Sequence, residues 1–305
     1  MCVTCGCSET DQVVVSNPET GDQKMMSHDE AHRHGHAHSH DAKNSHEPHR
    51  HEHPPEKNHS HEPHEHSHSS INADGAAITA TMHGQTIALE KEILGKNQQL
   101  AERNRAWFAE KNILALNLVS SPGSGKTTLL ERTLNDLKNE YEISVIEGDQ
   151  ETIHDAERIR ATGCKAVQIN TGTGCHLEAE MLAKGIQSLK PSNNSLLFIE
   201  NVGNLVCPAM FDLGERAKVA ILSVTEGEDK PLKYPQMFRA SELMILNKID
   251  LLPYLKFDVE RCVAYAKEVN PQMKILQVSA TSGEGMRDWY DWLRQNAGKI
   301  FSAAA

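Results

Sequence analysis

The residues best suited to chemistry in this sequence form two sets, one fitted to phosphate and the other to soft metal ions. After the apolar run Leu116-Asn-Leu-Val119 stands Ser120-Ser-Pro-Gly-Ser-Gly-Lys-Thr-Thr128, which fits G-x-x-x-x-G-K-[ST] with Ser120 in place of the first glycine. Gly123, Ser124 and Gly125 let the backbone wrap so that its N–H groups converge on phosphate oxygens at the start of the next helix. Lys126 would neutralise the β- and γ-phosphates, and the Thr127 hydroxyl, followed by Thr128, would ligate Mg²⁺. Further on, Asn247-Lys248-Ile-Asp250 has the N-K-x-D pattern of guanine recognition. The Asp250 carboxylate can accept from guanine N1–H and the 2-amino group, whereas adenine would leave it desolvated at a cost of about 1–3 kcal/mol. Ser279-Ala280-Thr281 resembles the loop whose backbone amide contacts guanine O6. GTP and GDP are therefore expected in preference to adenine nucleotides.

Two acidic stretches end candidate strands. Glu147-Gly-Asp149 follows the second strand, and Glu200-Asn-Val-Gly203 stands where many GTPases carry D-x-x-G. Asp149 and Glu200 are the expected Mg²⁺-side carboxylates, and the Gly203 amide is placed to sense the γ-phosphate. Asp155 either orients the attacking water or is a charge favoured by a helix N-terminus. Lys126, Asp149 and Asp155 are the catalytic candidates, since no Gln or Arg marks itself as the water-orienting group.

The second set is sulfur and imidazole. Cys2, Cys5 and Cys7 place three thiols within six residues, beside a terminal amine. Thiolates with an amine or amide nitrogen suit square-planar Ni²⁺, while four tetrahedral thiolates or imidazoles suit Zn²⁺. The pattern leans to nickel and leaves zinc open. Inside the following domain, Cys175-His176 and Cys207 lie on loops after different strands, able to converge on one ion or to share it between two copies. Cys207 stands seven residues past Glu200, so a nucleotide-driven change in that loop would move a metal ligand. Cys164 and Cys262 are expected to be small buried hydrophobes.

These residues need elements to hold them. Runs at 113–120, 143–146, 166–169, 196–200, 219–224, 243–247 and 275–278 are β-prone and alternate with helical stretches. That alternation predicts a mostly parallel sheet with helices on both faces, and the motifs fall at the strands' carboxyl ends, where such sheets bind ligands. Before the sheet, Ile93, Leu100 and Trp107 recur every seven residues with Leu89, Leu94 and Phe108 beside them, predicting a helix over 81–112 with one apolar stripe. The segment 8–80 is polar and nearly empty of large apolar residues, and 15 of the chain's 18 histidines lie in it between His28 and His68. Such a segment cannot offset its ordering entropy and is expected to be disordered, a store for Ni²⁺, Zn²⁺ or Cu²⁺ or a solvating linker. The expected division is 1–7, 8–80, 81–112 and a nucleotide domain at 113–305.

The net charge of −11 argues against nucleic acid and acidic membranes as partners. No apolar run approaches the about 18 residues of a membrane span, and the N-terminus lacks the basic and apolar parts of a signal peptide. A cytoplasmic location is expected.

Taken together, Cys2-Val-Thr-Cys-Gly-Cys7, the P-loop, Glu147-Gly-Asp-Gln150, Gly174-Cys-His176, Glu200-Asn-Val-Gly-Asn-Leu-Val-Cys-Pro208, Ser223-Val-Thr-Glu-Gly-Glu-Asp-Lys-Pro231, Asn247-Lys-Ile-Asp250 and Ser279-Ala-Thr281 resemble the nickel-incorporation GTPases of hydrogenase maturation, the HypB family. The resemblance covers the chain from about residue 81 onward and its extreme N-terminus. It implies an α/β, three-layer P-loop NTPase fold of the SIMIBI type. It also implies slow GTP hydrolysis, nucleotide- or metal-dependent homodimerisation and nickel delivery to the large-subunit precursor of a [NiFe] hydrogenase. The implied partners are a zinc-containing chaperone of the HypA type and a histidine-rich metallochaperone. On the same ground Cys175, His176 and Cys207 are the metal ligands of the nucleotide domain, and Cys2, Cys5 and Cys7 those of the terminal site. Leu251 and Leu255, spaced i to i+4, are either an apolar dimer patch or core.

Overall fold

The computed structural model describes the backbone of residues 12–17, 22–27, 73–149 and 154–302, and side chains over 91–149 and 157–302. The chain divides into two compact units, Met1–His28 with Thr86–Ala305, and Asp29–Gln85. In the first unit nine strands form one sheet: β1 Gln12–Asn17, β2 Asp22–Ser27, β3 Leu114–Ser120, β4 Ile143–Asp149, β5 Lys165–Asn170, β6 Leu196–Glu200, β7 Ala217–Ser223, β8 Leu243–Asn247 and β9 Lys274–Gln277. Their order is β2-β1-β5-β4-β6-β3-β7-β8-β9. All seven strands expected from the sequence are present, and they pair parallel throughout. Strands β1 and β2 add an antiparallel hairpin to the β5 edge.

The helices are α1 Ala73–Lys111, α2 Lys126–Leu137, α3 His154–Ala161, α4 Ala179–Leu189, the short α5 Cys207–Met210, α6 Lys230–Lys233 and α7 Pro235–Ala240, then α8 Val259–Val269 and α9 Met286–Phe301. Strand alternation assigns their faces. Leu114, Leu116 and Leu118 of β3 enter a core with Leu129, Leu130 and Leu134 of α2 and Trp289, Trp292 and Leu293 of α9. The alternate residues Ile113, Ala115 and Val119 enter two cores on the opposite face, with Phe108 of α1, Leu182 and Ile186 of α4, Met237 and Phe238 of α7 and Cys262 of α8. Helices on both faces of a parallel sheet make the three-layer arrangement expected of a P-loop NTPase. From β3 the chain crosses first to β4 on one side and later to β7 on the other, so the P-loop leaves the sheet at its switch point, where a crevice opens.

Two expectations differ from the structure at the N-terminal side. The stretch 8–80, expected to lack structure, contains β1, β2 and the first turns of α1; Val13-Val14-Val15 supplies β-branched residues for a strand. Its remaining residues, and Cys2, Cys5 and Cys7, lie outside the described residues. Helix α1 was expected to bury the stripe of Ile93, Leu100 and Trp107, but these are only half-buried. The buried face carries Asn97, Ala101, Asn104 and Phe108, in the 4-3-4 spacing of a helix face. Among the described residues no helix is long and apolar enough to cross a membrane.

Candidate nucleotide and metal site

The crevice is a cavity of about 540 Å³ lined by the P-loop, the ends of β4 and β6, and Lys248. Gly123 and Gly125 have φ of 73° and 89°, the left-handed region open to glycine. At Gly125 space forbids a side chain as well, because a Cβ would stand 2.6 Å from Asn247 Nδ2. That contact is functional: Asn247 Nδ2 donates to the Ser124 carbonyl at 3.0 Å and Lys248 Nζ to the Gly123 carbonyl at 2.7 Å. Asn247 Oδ1 also accepts from Ala280 N–H at 3.3 Å. One asparagine therefore ties the phosphate loop, the N-K-x-D loop and the Ser279-Ala280 loop into one frame. Asp250 follows on a 3₁₀ turn, Ile249–Tyr254, and its Oδ1 is buried with no hydrogen-bond partner among the described residues. A buried carboxylate oxygen left unpaired is costly, and N–H donors of a purine base would satisfy it.

At the phosphate end Glu200, 2% exposed, is the hub. Its Oε1 accepts from Lys126 Nζ and from Thr127 Oγ1, each at 2.6 Å. Its Oε2 is buried without a partner among the described residues. This donor set fits Mg²⁺ bound with a nucleotide: Thr127, Glu200 and Asp149, which closes β4 and lines the cavity, offer hard oxygen donors beside a lysine suited to phosphate. Gly203 sits directly on the P-loop, since a Cβ there would lie 3.2 Å from Pro122 Cα. Asp155 lies in the first turn of α3, and its side chain is outside the described residues. The same helix presents Arg158, which lines the cavity and donates to Thr128 Oγ1 at 3.3 Å and Glu131 Oε2 at 2.7 Å. This cation escaped the sequence reading, and nothing in its neighbours' pattern marks it.

Cys175, His176 and Cys207 converge, with one ligand atom from each lying within 4.8 Å of the others. Cys207 is fully buried at the start of α5, and the His176 ring packs on Phe211 with centroids 4.0 Å apart. Cys175 Sγ is 3.7 Å from His176 Nδ1. His176 Nε2 is buried with no hydrogen bond among the described residues, and Glu178 Oε1 stands 3.6 Å away, beyond good hydrogen-bond range. Two thiols and an imidazole in this proximity suit a soft or borderline divalent ion, with a position left for a further ligand. Cys164 and Cys262 are buried in the cores as expected, and burial, reinforced by Glu228 and Glu226, pushes the Cys262 thiol up to about 12, far from metal-binding thiolate chemistry. Leu251 packs half-buried against the β8 core, whereas Leu255 is exposed.

A family model described as CobW/HypB/UreG, nucleotide-binding domain, matches residues 114–277. The hydrogenase maturation factor HypB of Escherichia coli strain K12 is 65% identical over 207 residues, 68% of this chain and 71% of that protein. The hydrogenase/urease maturation factor HypB of Helicobacter pylori strain J99 is 38% identical over 211 residues, 68% of this chain and 86% of that protein. The crystal structure of HypB from Archaeoglobus fulgidus superposes with a TM-score of 0.63 at 42% identity, covering 67% of this chain and 99% of that one. HypB from Helicobacter pylori in complex with nickel superposes with the same TM-score at 37% identity, covering 67% and 96%. Fold, phosphate loop and family match together define a P-loop nucleoside triphosphatase of the SIMIBI type. Within that class the chain belongs to the HypB family of hydrogenase maturation factors.

Proposed function

We propose that this protein is a cytoplasmic GTPase that takes up nickel and couples GTP hydrolysis to its insertion into the large-subunit precursor of a [NiFe] hydrogenase. The observation that carries this reading is the segment 200–207. It begins at Glu200, bonded to Lys126 and Thr127 in the phosphate site, and ends at Cys207 in the thiol–imidazole triad. A nucleotide that draws Lys126 onto its phosphates and Thr127 onto its Mg²⁺ must rearrange the bonds Glu200 now accepts, and that change runs along the segment toward a metal ligand. Asp250 selects guanine over adenine, and Lys126 stabilises charge on the transferred phosphoryl. Mg²⁺, held by Thr127, Asp149 and Glu200, neutralises phosphate charge when bound. Asp155, at the start of α3, is the residue assigned to orient the attacking water.

Nickel is the cargo of Cys175, His176 and Cys207, and zinc is the competing ion for the same donors. The terminal Cys2, Cys5 and Cys7 form a second nickel site, and the histidine-rich segment stores or sequesters the metal. The same reading assigns a HypA-type chaperone and a histidine-rich metallochaperone as partners, with homodimerisation dependent on nucleotide or metal.

The test combines turnover and rescue. Purified full-length protein should hydrolyse GTP and not ATP, and Lys126→Ala should remove the activity. In cells lacking the protein and starved of nickel, hydrogenase activity should return with the wild-type chain and stay low with Lys126→Ala or Cys207→Ala. A hydrogenase that is fully active without the protein under those conditions would overturn the nickel-delivery reading.

A further inference from the structure

The five residues 200–204 hold the Cys175-His176 pair at two points. At the peptide joining the pair, Asn204 Nδ2 donates to the Cys175 carbonyl at 3.3 Å, while Asn204 Oδ1 accepts from Val206 N–H at 2.8 Å, one residue before Cys207. Downstream, Asn201 Oδ1 accepts from Leu177 N–H at 3.2 Å, one residue after His176, and from Val202 N–H at 3.0 Å. The two asparagines are not equivalent. Asn201 is 1% exposed, and its Nδ2 donates to Asn117 Oδ1 at 3.2 Å. Asn117 in turn donates to Glu215 Oε1 at 3.1 Å, which also takes Lys218 Nζ at 2.8 Å, and Glu215 Oε2 accepts from Leu213 N–H at 2.7 Å. A buried network with these groups satisfied is rigid. Asn204 is half-buried, belongs to no such network among the described residues, and lies directly after Gly203, the residue pressed on Pro122 of the P-loop. Its 3.3 Å bond to Cys175 is about as long as the 3.2 Å bond Asn201 accepts from Leu177, so the two asparagines differ in burial and in the network behind them rather than in bond length.

From this asymmetry we infer that Asn201 is the fixed anchor of the metal triad and Asn204 the moving contact that carries nucleotide state from the P-loop to Cys175. The inference rests on the reading of the triad as a nickel site coupled to GTP. A change at Gly203 that shifts Asn204 alters its grip on the Cys175 carbonyl, displacing the Cys175 thiol relative to His176, which Asn201 holds still through Leu177. Both asparagines are positioning residues; neither side chain is a metal ligand.

The experiment uses the full chain carrying Cys2→Ala, Cys5→Ala and Cys7→Ala, so that thiolate-to-nickel charge-transfer absorption reports the internal triad while the histidine-rich segment, lacking thiols, contributes none. Ni²⁺ is titrated with GDP or with a non-hydrolysable GTP analogue bound. The parent should show different midpoints for the two nucleotides, within the about 5- to 150-fold range of ordinary linkage. Asn204→Ala should keep the band and the nucleotide affinity but bring the two midpoints together. Asn204→Asp retains the acceptor for Val206 N–H and loses the donor to Cys175, so it should behave like Asn204→Ala. Asn201→Ala should weaken nickel in both nucleotide states and change the band's position. If Asn201→Ala does not fold, the surface-proximal Asn204 pair still decides. Parent-like coupling in Asn204→Ala, or in Asn204→Asp, overturns the assignment of Asn204 while leaving the nickel GTPase reading intact. A parent with no band, or with one midpoint for both nucleotides, overturns the coupled-site reading and this inference with it.

Discussion

Asp250 is the residue at which a single atom carries the choice of base. Its Oδ1 is buried and unpaired among the described residues, in a loop that Asn247 and Lys248 clamp to the P-loop carbonyls. Asp250→Ala should therefore weaken GTP by about 1–3 kcal/mol, roughly five- to 150-fold, and leave weak ATP binding unchanged. Competition between labelled GTP and each nucleotide checks this, and an equal loss for ATP would show that the substitution damages the loop rather than base reading. The P-loop, Asp250 and the triad residues were legible from the sequence because their spacing and side-chain chemistry are local. Asn201 and Asn204 sit inside a stretch noted for Glu200, Gly203 and Cys207, yet their roles were not legible. An asparagine bonding backbone groups some 30 residues away leaves no periodic trace.

At the scale of elements, α1 shows how a helix can be placed by polar groups. Asn104 Nδ2 donates to the carbonyls of Ala179 at 2.9 Å and Leu213 at 3.0 Å. Asn97 bridges Ala179 N–H at 2.9 Å and the Asp212 carbonyl at 2.8 Å. Gly214 admits this approach, because a Cβ there would lie 2.4 Å from the Ala101 carbonyl oxygen. The two asparagines thus pin the chain just after His176 and just after α5 to one helix. Asn104→Ala removes two buried hydrogen bonds and should cost about 1–3 kcal/mol in urea unfolding; a loss below about 0.5 kcal/mol would mean that the helix shifts to compensate. Apolar periodicity gave the helix and, in Phe108 and Trp107, part of its buried side, but not Asn97 and Asn104, since counting hydrophobes cannot see a face that docks on backbone. On the opposite side α9 is held to the turn before β4 by Arg294, whose guanidinium forks onto Glu140 at 2.9 and 2.8 Å. That bond holds the Glu140 carboxyl below its ordinary value of 4.5, against the opposing effect of burial. A depressed folded-state pKa stabilises above the ordinary value and loses its effect as pH falls through the folded one. Being largely exposed, the pair is worth about 0.2–1 kcal/mol. Glu140→Gln should show that deficit near neutrality and none well below pH 4.5, so a deficit independent of pH would assign the effect to packing.

For the whole molecule the open question is what covers the end of the 3₁₀ turn that begins beside Asp250. Tyr254 is 83% exposed and Leu255 38%, whereas Ile249, Leu251 and Leu252 pack partly into the β8 core. Of the two leucines first considered as a dimer patch, Leu251 belongs with the core and Leu255 faces outward. A tyrosine next to a leucine on the surface is the composition of an interface anchor, and a second copy of the chain is the occupant implied by the family resemblance. The net charge of −11 makes two copies repel. An apolar contact working against that repulsion should therefore tighten as salt screens it, the reverse of an interface held by ion pairs. If this patch is the interface of the proposed dimer, Leu255→Arg removes apolar contact and adds a desolvation cost, and together with Tyr254→Ala should weaken that dimer by about 2 kcal/mol or more, roughly 30-fold. Sedimentation of wild type and double variant with GDP and with a GTP analogue, at low and high salt, reads both effects. Measured at a concentration where both proteins are monomeric, the variant should keep the wild-type GTP affinity, because Asp250 is untouched. A wild-type dimer that persists in the variant, or that dissociates as salt rises, would place the interface elsewhere.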